Sequence, residues 1–456
     1  MVVGLMSVNT SHHAATHRRR ETVPPSDAGG GPHKPKQAIA RIRRIWQTFG
    51  PGLVTGASDD DPSGIATYSQ VGAQFGYGML WTMVISYPLM AAIQEICARV
   101  GRVTGCGISG NLRRHYPRWL LQFVIVLVLL ANIFNLGADI GAMGASAQLI
   151  FPTRTWIFIL LSGLVSVYLQ VRVPYDRYVK YLKWLTLSLF AYVAAAFFTH
   201  ISWTGVLRAT FLPKLIWSKA YFTGLVAVLG TTISPYLFFW QASQEVEEVR
   251  KNRGEKALKR APVQARTQLG RIRVDTFFGM ALSNVVAFFI ILTAAATLHS
   301  QGINNVGTAA EAAQALRPLG GRLATGLFVC GIIGTGLLAI PVLAGSAGYA
   351  LGEACKWPSS LARKPDQAPG FYVTITVSTI AGIALNFWHI DPIKALFWAA
   401  VLNGVLAAPL MAVIMLMASS RKVMDKFAIP ASLRIFGWAA TAVMFLAAIG
   451  VFVTAS

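Results

Sequence analysis

Charge is scarce in this chain. Only 13% of its 456 residues are Asp, Glu, Lys or Arg, against about 25% in ordinary soluble domains. Acids are the rarer sign, 18 against 40 bases. Cysteine is scarce too. Cys97, Cys106, Cys330 and Cys355 have neither CxxC spacing nor the density of a disulfide framework, and they read as packing thiols. No histidine pair has zinc spacing and no Walker-A loop is present. The N-terminal stretch has no apolar core for a cleaved signal peptide. These absences exclude a soluble enzyme, a disulfide-stapled secreted domain and an ATP-driven pump. They call for no nucleotide and no resident cofactor.

What is abundant is hydrocarbon. Apolar residues make up 54% of the chain, and the mean hydropathy is +0.53. That is enough for about a dozen bilayer spans of ~20 residues each. Apolar segments lie near 51–75, 77–98, 119–150, 155–171, 181–200, 220–243, 275–299, 323–350, 370–389, 392–418 and 435–454. The expectation is an all-α integral membrane protein with about 11 transmembrane helices. With the N-terminus in the cytoplasm, 33 of the 40 Lys and Arg residues fall on the inner side. That asymmetry is a strong positive-inside signal. It puts the N-terminus inside, the C-terminus outside and the protein in the plasma or inner membrane. The net charge of +22 then reports orientation and contact with anionic lipid on the cytoplasmic face, not nucleic acid. Residues 1–45 read as a disordered basic tail, and 244–273 as a partly helical cytoplasmic loop.

The first segment carries Asp59, Asp60 and Asp61, followed by Pro62, Ser63 and Gly64. The proline removes a backbone donor and the glycine permits conformations other residues avoid, so a helix should unwind here. A helix start explains part of the pattern, with Asp61 as cap and Pro62 in the first turn. It does not explain three acids at membrane depth, where each costs about 2.5–3.5 kcal/mol on the mild insertion scale. The three carboxylates are therefore assigned to a cation site. In the sixth segment Gly230, Thr231, Thr232, Ser234 and Pro235 repeat the device, 173 residues and five segments later. A proline that merely kinks a packed helix is the plainer reading of either one alone. Paired interruptions point to an inverted-repeat transporter with its site at the midplane. Freed carbonyls and helix C-termini there attract cations, which adds Gly230, Thr231 and Ser234 to the metal site.

Gly50-Pro51-Gly52, Asp61-Pro62 and Gly72-Ala73-Gln74-Phe75-Gly76-Tyr77 resemble the first span and following turn of the natural-resistance-associated macrophage protein (Nramp) family. Those proteins are divalent-metal transporters of the leucine-transporter-like fold. The resemblance continues through Cys97-Ala98-Arg99-Val100-Gly101 and Gly230-Thr231-Thr232-Ile233-Ser234-Pro235-Tyr236, over roughly residues 45–420. It implies a 5+5 inverted repeat with helices 1 and 6 broken at midplane. The repeats would cover 46–205 and 215–418, followed by an additional eleventh helix over 430–456. A monomer working by alternating access is expected.

The departures from the family pattern bear on the substrate. Typical members carry Asp-Pro-Gly-Asn in the first span, with Asp and Asn on the metal; here Ser63 and Gly64 replace the last two. They carry Met-Pro-His in the sixth; here Ser234 replaces the Met, Tyr236 the His, and Gln241 stands near a further family His. The pattern resembles an Nramp-related magnesium branch described as free of proton coupling. Loss of the thioether hardens the site, and carboxylate, hydroxyl and carbonyl suit Mg2+, Ca2+ and Mn2+ alike. Moving a divalent ion through about 100 mV is worth roughly 4.6 kcal/mol, so the membrane potential alone can drive an abundant ion. The main expectation is therefore potential-driven Mg2+ import without protons, with Mn2+ also possible. The alternative is a conventional proton-coupled Mn2+/Fe2+ importer.

Other polar residues in the spans have plainer readings beside functional ones. Asn132, Asn135 and Asp139 share one helical face. Asp139 resembles an acidic residue on the family's proton route, and a hydrogen bond to a partner helix explains it nearly as well. Glu95 reads as an ion-pair partner of Arg99 one turn away. Asn403 is placed in the metal site on the family's pattern, with interhelical hydrogen bonding as its equal alternative.

Overall fold

A span in hydrocarbon must satisfy its backbone polar groups internally, which favours helices. The structure, a computed structural model, describes residues 55–454 except 57, 176, 178–181, 183, 389 and 390, and every regular element among them is helical. The basic tail expected over 1–45 and the Gly50-Pro51-Gly52 motif lie outside the described residues. The order is α1 (Pro62–Phe75), α2 (Trp81–Thr104), α3 (Ile108–His115), α4 (Arg118–Gln148), α5 (Thr155–Arg172), α6 (Phe190–Phe197) and α7 (Trp203–Phe211). It continues with α8 (Lys219–Thr232), α9 (Pro235–Lys251), α10 (Ala265–Thr297), α11 (Gly321–Cys355), α12 (Pro369–Leu385), α13 (Pro392–Ser419) and α14 (Ala431–Val453).

Among the described residues nine stretches are long and apolar enough to cross a bilayer, with α8 and α9 counted together. Eleven were expected. The first segment falls short because α1 has only 14 residues, about 21 Å of helix against ~30 Å of hydrocarbon. The fifth falls short because its described apolar helix is confined to Leu187–Phe197. The expected loop over 244–273 is helical at both ends: α9 runs on to Lys251 and α10 begins at Ala265.

Close approaches between helices fix the frame around the broken segments. A Cβ on Gly230 would lie 2.1 Å from the Ala400 carbonyl oxygen, and one on Gly404 2.5 Å from that of Val226, so α8 and α13 touch backbone to backbone. A Cβ on Gly72 would lie 2.5 Å from the Ile291 carbonyl oxygen, which presses α1 onto α10 in the same way. Small residues at helix crossings are the usual means of packing in a bilayer, where lipid is as apolar as leucine.

Candidate metal centre

Both interruptions are built by the chain's own local chemistry. Residues 58 and 59 are helical, Asp60 and Asp61 are not, and α1 restarts at Pro62. Asp61 is the N-cap of α1: its Oδ1 accepts from the Gly64 backbone N–H at 2.9 Å and from the Ser63 hydroxyl at 2.5 Å. Proline at the first position costs nothing, because that N–H has no partner within the helix. The second interruption lies between α8, which ends at Thr232, and α9, which begins at Pro235 with Ser234 as its N-cap. Ser234 turns its hydroxyl back, donating to the carbonyls of Thr231 at 2.7 Å and Gly230 at 3.2 Å. Each of those carbonyls keeps a second lone pair.

The two interruptions meet. The Tyr236 hydroxyl donates to Asp61 Oδ2 at 3.0 Å, and the Ser63 and Thr231 hydroxyls lie 3.5 Å apart. Asp61, Ser63, Thr231 and Tyr236 are all buried. Every donor that this cluster offers to a cation is oxygen. Its hydroxyls can reverse from donating to accepting, because each carries lone pairs as well as a proton. Such a set suits hard divalent ions.

The three acids do not act as one group. Asp59 Oδ2 and Asp60 Oδ1 both receive the Ser283 hydroxyl of α10, at 2.8 and 3.0 Å, so they turn toward α10 while Asp61 turns toward α9. Among the described residues no three of His, Cys, Asp and Glu gather around one point that would hold a metal ion. Asn403 is paired reciprocally with Asn135, at 2.8 and 3.1 Å, a contact between α13 and α4. Asn132 donates to Ser346 and to the Leu343 carbonyl of α11. Asp139 is buried with neither carboxylate oxygen hydrogen-bonded. The expected pair of Glu95 with Arg99 is present at 2.6 Å. Two contacts were not anticipated: Ser283 beneath Asp59 and Asp60, and Tyr236 as a partner of Asp61 instead of a mere departure from the family. An isolated Ser-Asn pair in the apolar run around 283 was the available signal for the first.

A family model described as natural resistance-associated macrophage protein-like matches residues 52–454. The chain belongs to the Nramp family. A divalent metal cation transporter named MntH from Deinococcus radiodurans is 25% identical over 305 residues. The match covers 65% of this chain and 66% of that protein, just under two thirds of its length. The fold is similar to that of the Eremococcus coleocola manganese transporter solved with an aromatic bis-isothiourea substituted compound (TM-score 0.69, 16% identity, 94% of this chain and 88% of that one). It is also similar to Mhp1, a nucleobase-cation-symport-1 family transporter, in a closed conformation (TM-score 0.52, 14% identity, 90% and 92%). The chain is thus a multi-pass, all-α membrane protein of this family, with the leucine-transporter-like inverted-repeat fold.

These comparisons correct the expectation of uncoupled Mg2+ import. The similar proteins carry the name MntH, a divalent metal cation transporter, and the similar solved structures include a manganese transporter. The physical reason for the misreading is plain. Replacing methionine by Ser234 removes a soft ligand, but Mn2+ takes the same carboxylate, hydroxyl and carbonyl oxygens as Mg2+. Hardness separated this site from soft metals and could not choose between two hard ones.

Proposed function

We propose that this chain is an importer of divalent transition-metal cations, Mn2+ first and Fe2+ within its range, coupled to protons. The oxygen cluster at the two helix interruptions carries the reading: Asp61 beside Ser63, Thr231 and Tyr236, with the Gly230 and Thr231 carbonyls held by Ser234. Asp61 supplies the charge, the hydroxyls and carbonyls complete the shell, and the interruptions stand at the bilayer midplane. Asp59 and Asp60 form an acidic approach to that shell, steadied by Ser283. Asn403 serves the site from outside, by locking α13 to α4 through Asn135. Asp139, buried and without a hydrogen-bond donor among the described residues, is the carboxylate assigned to the proton.

The repeats run over 46–205 and 215–418, the additional segment 430–456, which contains α14, stands outside them, and the basic side faces the cytoplasm. The relatives' names, the family match and the donor chemistry support this reading together. It is tested by expressing the chain in a bacterium lacking its own Mn2+ uptake and measuring cell metals by mass spectrometry. Cellular Mn is expected to rise, and to fall back with Asp61→Asn. A rise in Mg with Mn unchanged would overturn it.

A further inference from the structure

Outside the site just described, a cavity of about 1300 Å3 lies where α5, α9 and α11 end. Its wall carries five cationic side chains: Arg172, Arg250, Lys251, Arg363 and Lys364. Three carboxylates share that wall, but two are already engaged. Glu247 accepts from Ser360 at 2.8 Å and from Tyr349 at 3.4 Å, and lies 3.8 Å from Arg250, while Glu248 accepts from Asn252 at 2.9 Å. The third, Asp366, is exposed. Arg172, Arg363 and Lys364 are exposed and have no ion pair or side-chain hydrogen bond among the described residues. The cavity wall therefore carries five cations against three carboxylates, an excess suited to an anion.

A second, shallower groove of about 440 Å3 opens from the same place. It shares Val171, Pro365 and Tyr372 with the cavity and continues along α12 past Pro369, Val373 and Val377. This part is almost wholly apolar, and Val373 and Val377 are each 59% exposed on the face that meets lipid. A basic cavity at a helix end, continuous with an apolar groove down the adjoining span, has the two halves of a phospholipid written into it. Basic pockets between spans hold anionic headgroups, and an acyl chain gains by covering apolar surface wherever water or a gap would otherwise lie.

We propose that this junction binds one anionic phospholipid, its phosphate held by Arg172, Arg363 and Lys364 and an acyl chain laid between Val171 and α12. The site is separate from the Asp61 cluster and stands whether or not that cluster carries Mn2+. A bound lipid here would join the end of α5 to the 356–368 connection and to α9.

The test is native mass spectrometry of the full chain, titrated with phosphatidylglycerol or phosphatidylcholine of identical acyl chains. One phosphatidylglycerol should be retained with about tenfold or greater preference. The preference should disappear in the triple variant R172Q/R363Q/K364Q, whose residues are exposed and leave the core untouched. Thr376→Trp, which fills the groove, should weaken retention although every charge remains. The triple variant R208Q/K214Q/K219Q, on the opposite side of the membrane by the charge asymmetry, should leave the preference intact. Equal retention of both lipids would overturn the proposal. So would an unchanged first triple variant, equal loss in the second, no effect of Thr376→Trp, or displacement of the lipid by glycerol phosphate lacking acyl chains.

Discussion

Asp61 does two jobs that a single substitution can separate. As N-cap it holds the start of α1, and as a carboxylate it offers the charge around which Ser63, Thr231 and Tyr236 are arranged. Asparagine caps a helix about as well as aspartate, so Asp61→Asn should keep the fold and lose Mn2+ transport. The check is uptake alongside a melting curve of the purified protein, and a fall in both would mean that the cap dominates. Ser234 was read from the sequence as the residue that hardens the site, and its hydroxyl in fact closes over the carbonyls of Gly230 and Thr231. Ser234→Met should release those carbonyls, introduce a thioether and raise Cd2+ transport relative to Mn2+. An unchanged ratio in competition assays would show that position 234 does not face the ion.

The helices show what was legible in the sequence and what was not. Pro62 and Pro235 mark their interruptions correctly because proline acts locally, through its own missing N–H and its own ring. The triple acid is the opposite case, because its partners are not local. Neighbours in sequence at a helix break can point to different partners, and Ser283, more than 220 residues away, holds two of the three. Asn403 was placed by the family's pattern, with interhelical bonding as the equal alternative, and its partner in the structure is Asn135. Gly230 was chosen for its carbonyl, yet its missing side chain matters as much. Gly230→Ala would drive a methyl into the Ala400 carbonyl and part α8 from α13, at a cost of about 1–3 kcal/mol. A lowered melting temperature in detergent checks this, and none is expected for Gly326→Ala, where nothing lies near the added carbon. At the other end of α2, Arg102 is fully buried against Glu255 at 2.5 Å, while Arg271 holds Glu245 at 2.6 Å. Removing one partner of a buried pair costs about 3–5 kcal/mol, discounted here because Glu255 is 25% exposed. Arg102→Met should therefore destabilise the protein by a few kcal/mol, read as a lower denaturant midpoint.

On the scale of the whole molecule, the distribution of charge and the family agree on a membrane carrier, and the energetics bear on its coupling. A divalent ion falling through about 100 mV gains enough to support roughly a thousandfold gradient. That suffices for an ion abundant outside the cell, whereas a scarce metal such as Mn2+ benefits from a second driving ion. A proton reaching Asp139 would supply it, and Asp139→Asn should leave Mn2+ binding intact while uncoupling its entry from pH. The most direct measurement follows Mn2+ and protons together in proteoliposomes. A metal-quenched dye and a pH dye are enclosed, and the potential is clamped with valinomycin and K+. Mn2+ entry is expected to quench the first dye and acidify the lumen, with both signals lost in Asp61→Asn. Mn2+ entry without acidification would remove the proton from the mechanism, and entry undiminished in Asp61→Asn would contradict the assignment of the metal to the paired helix interruptions.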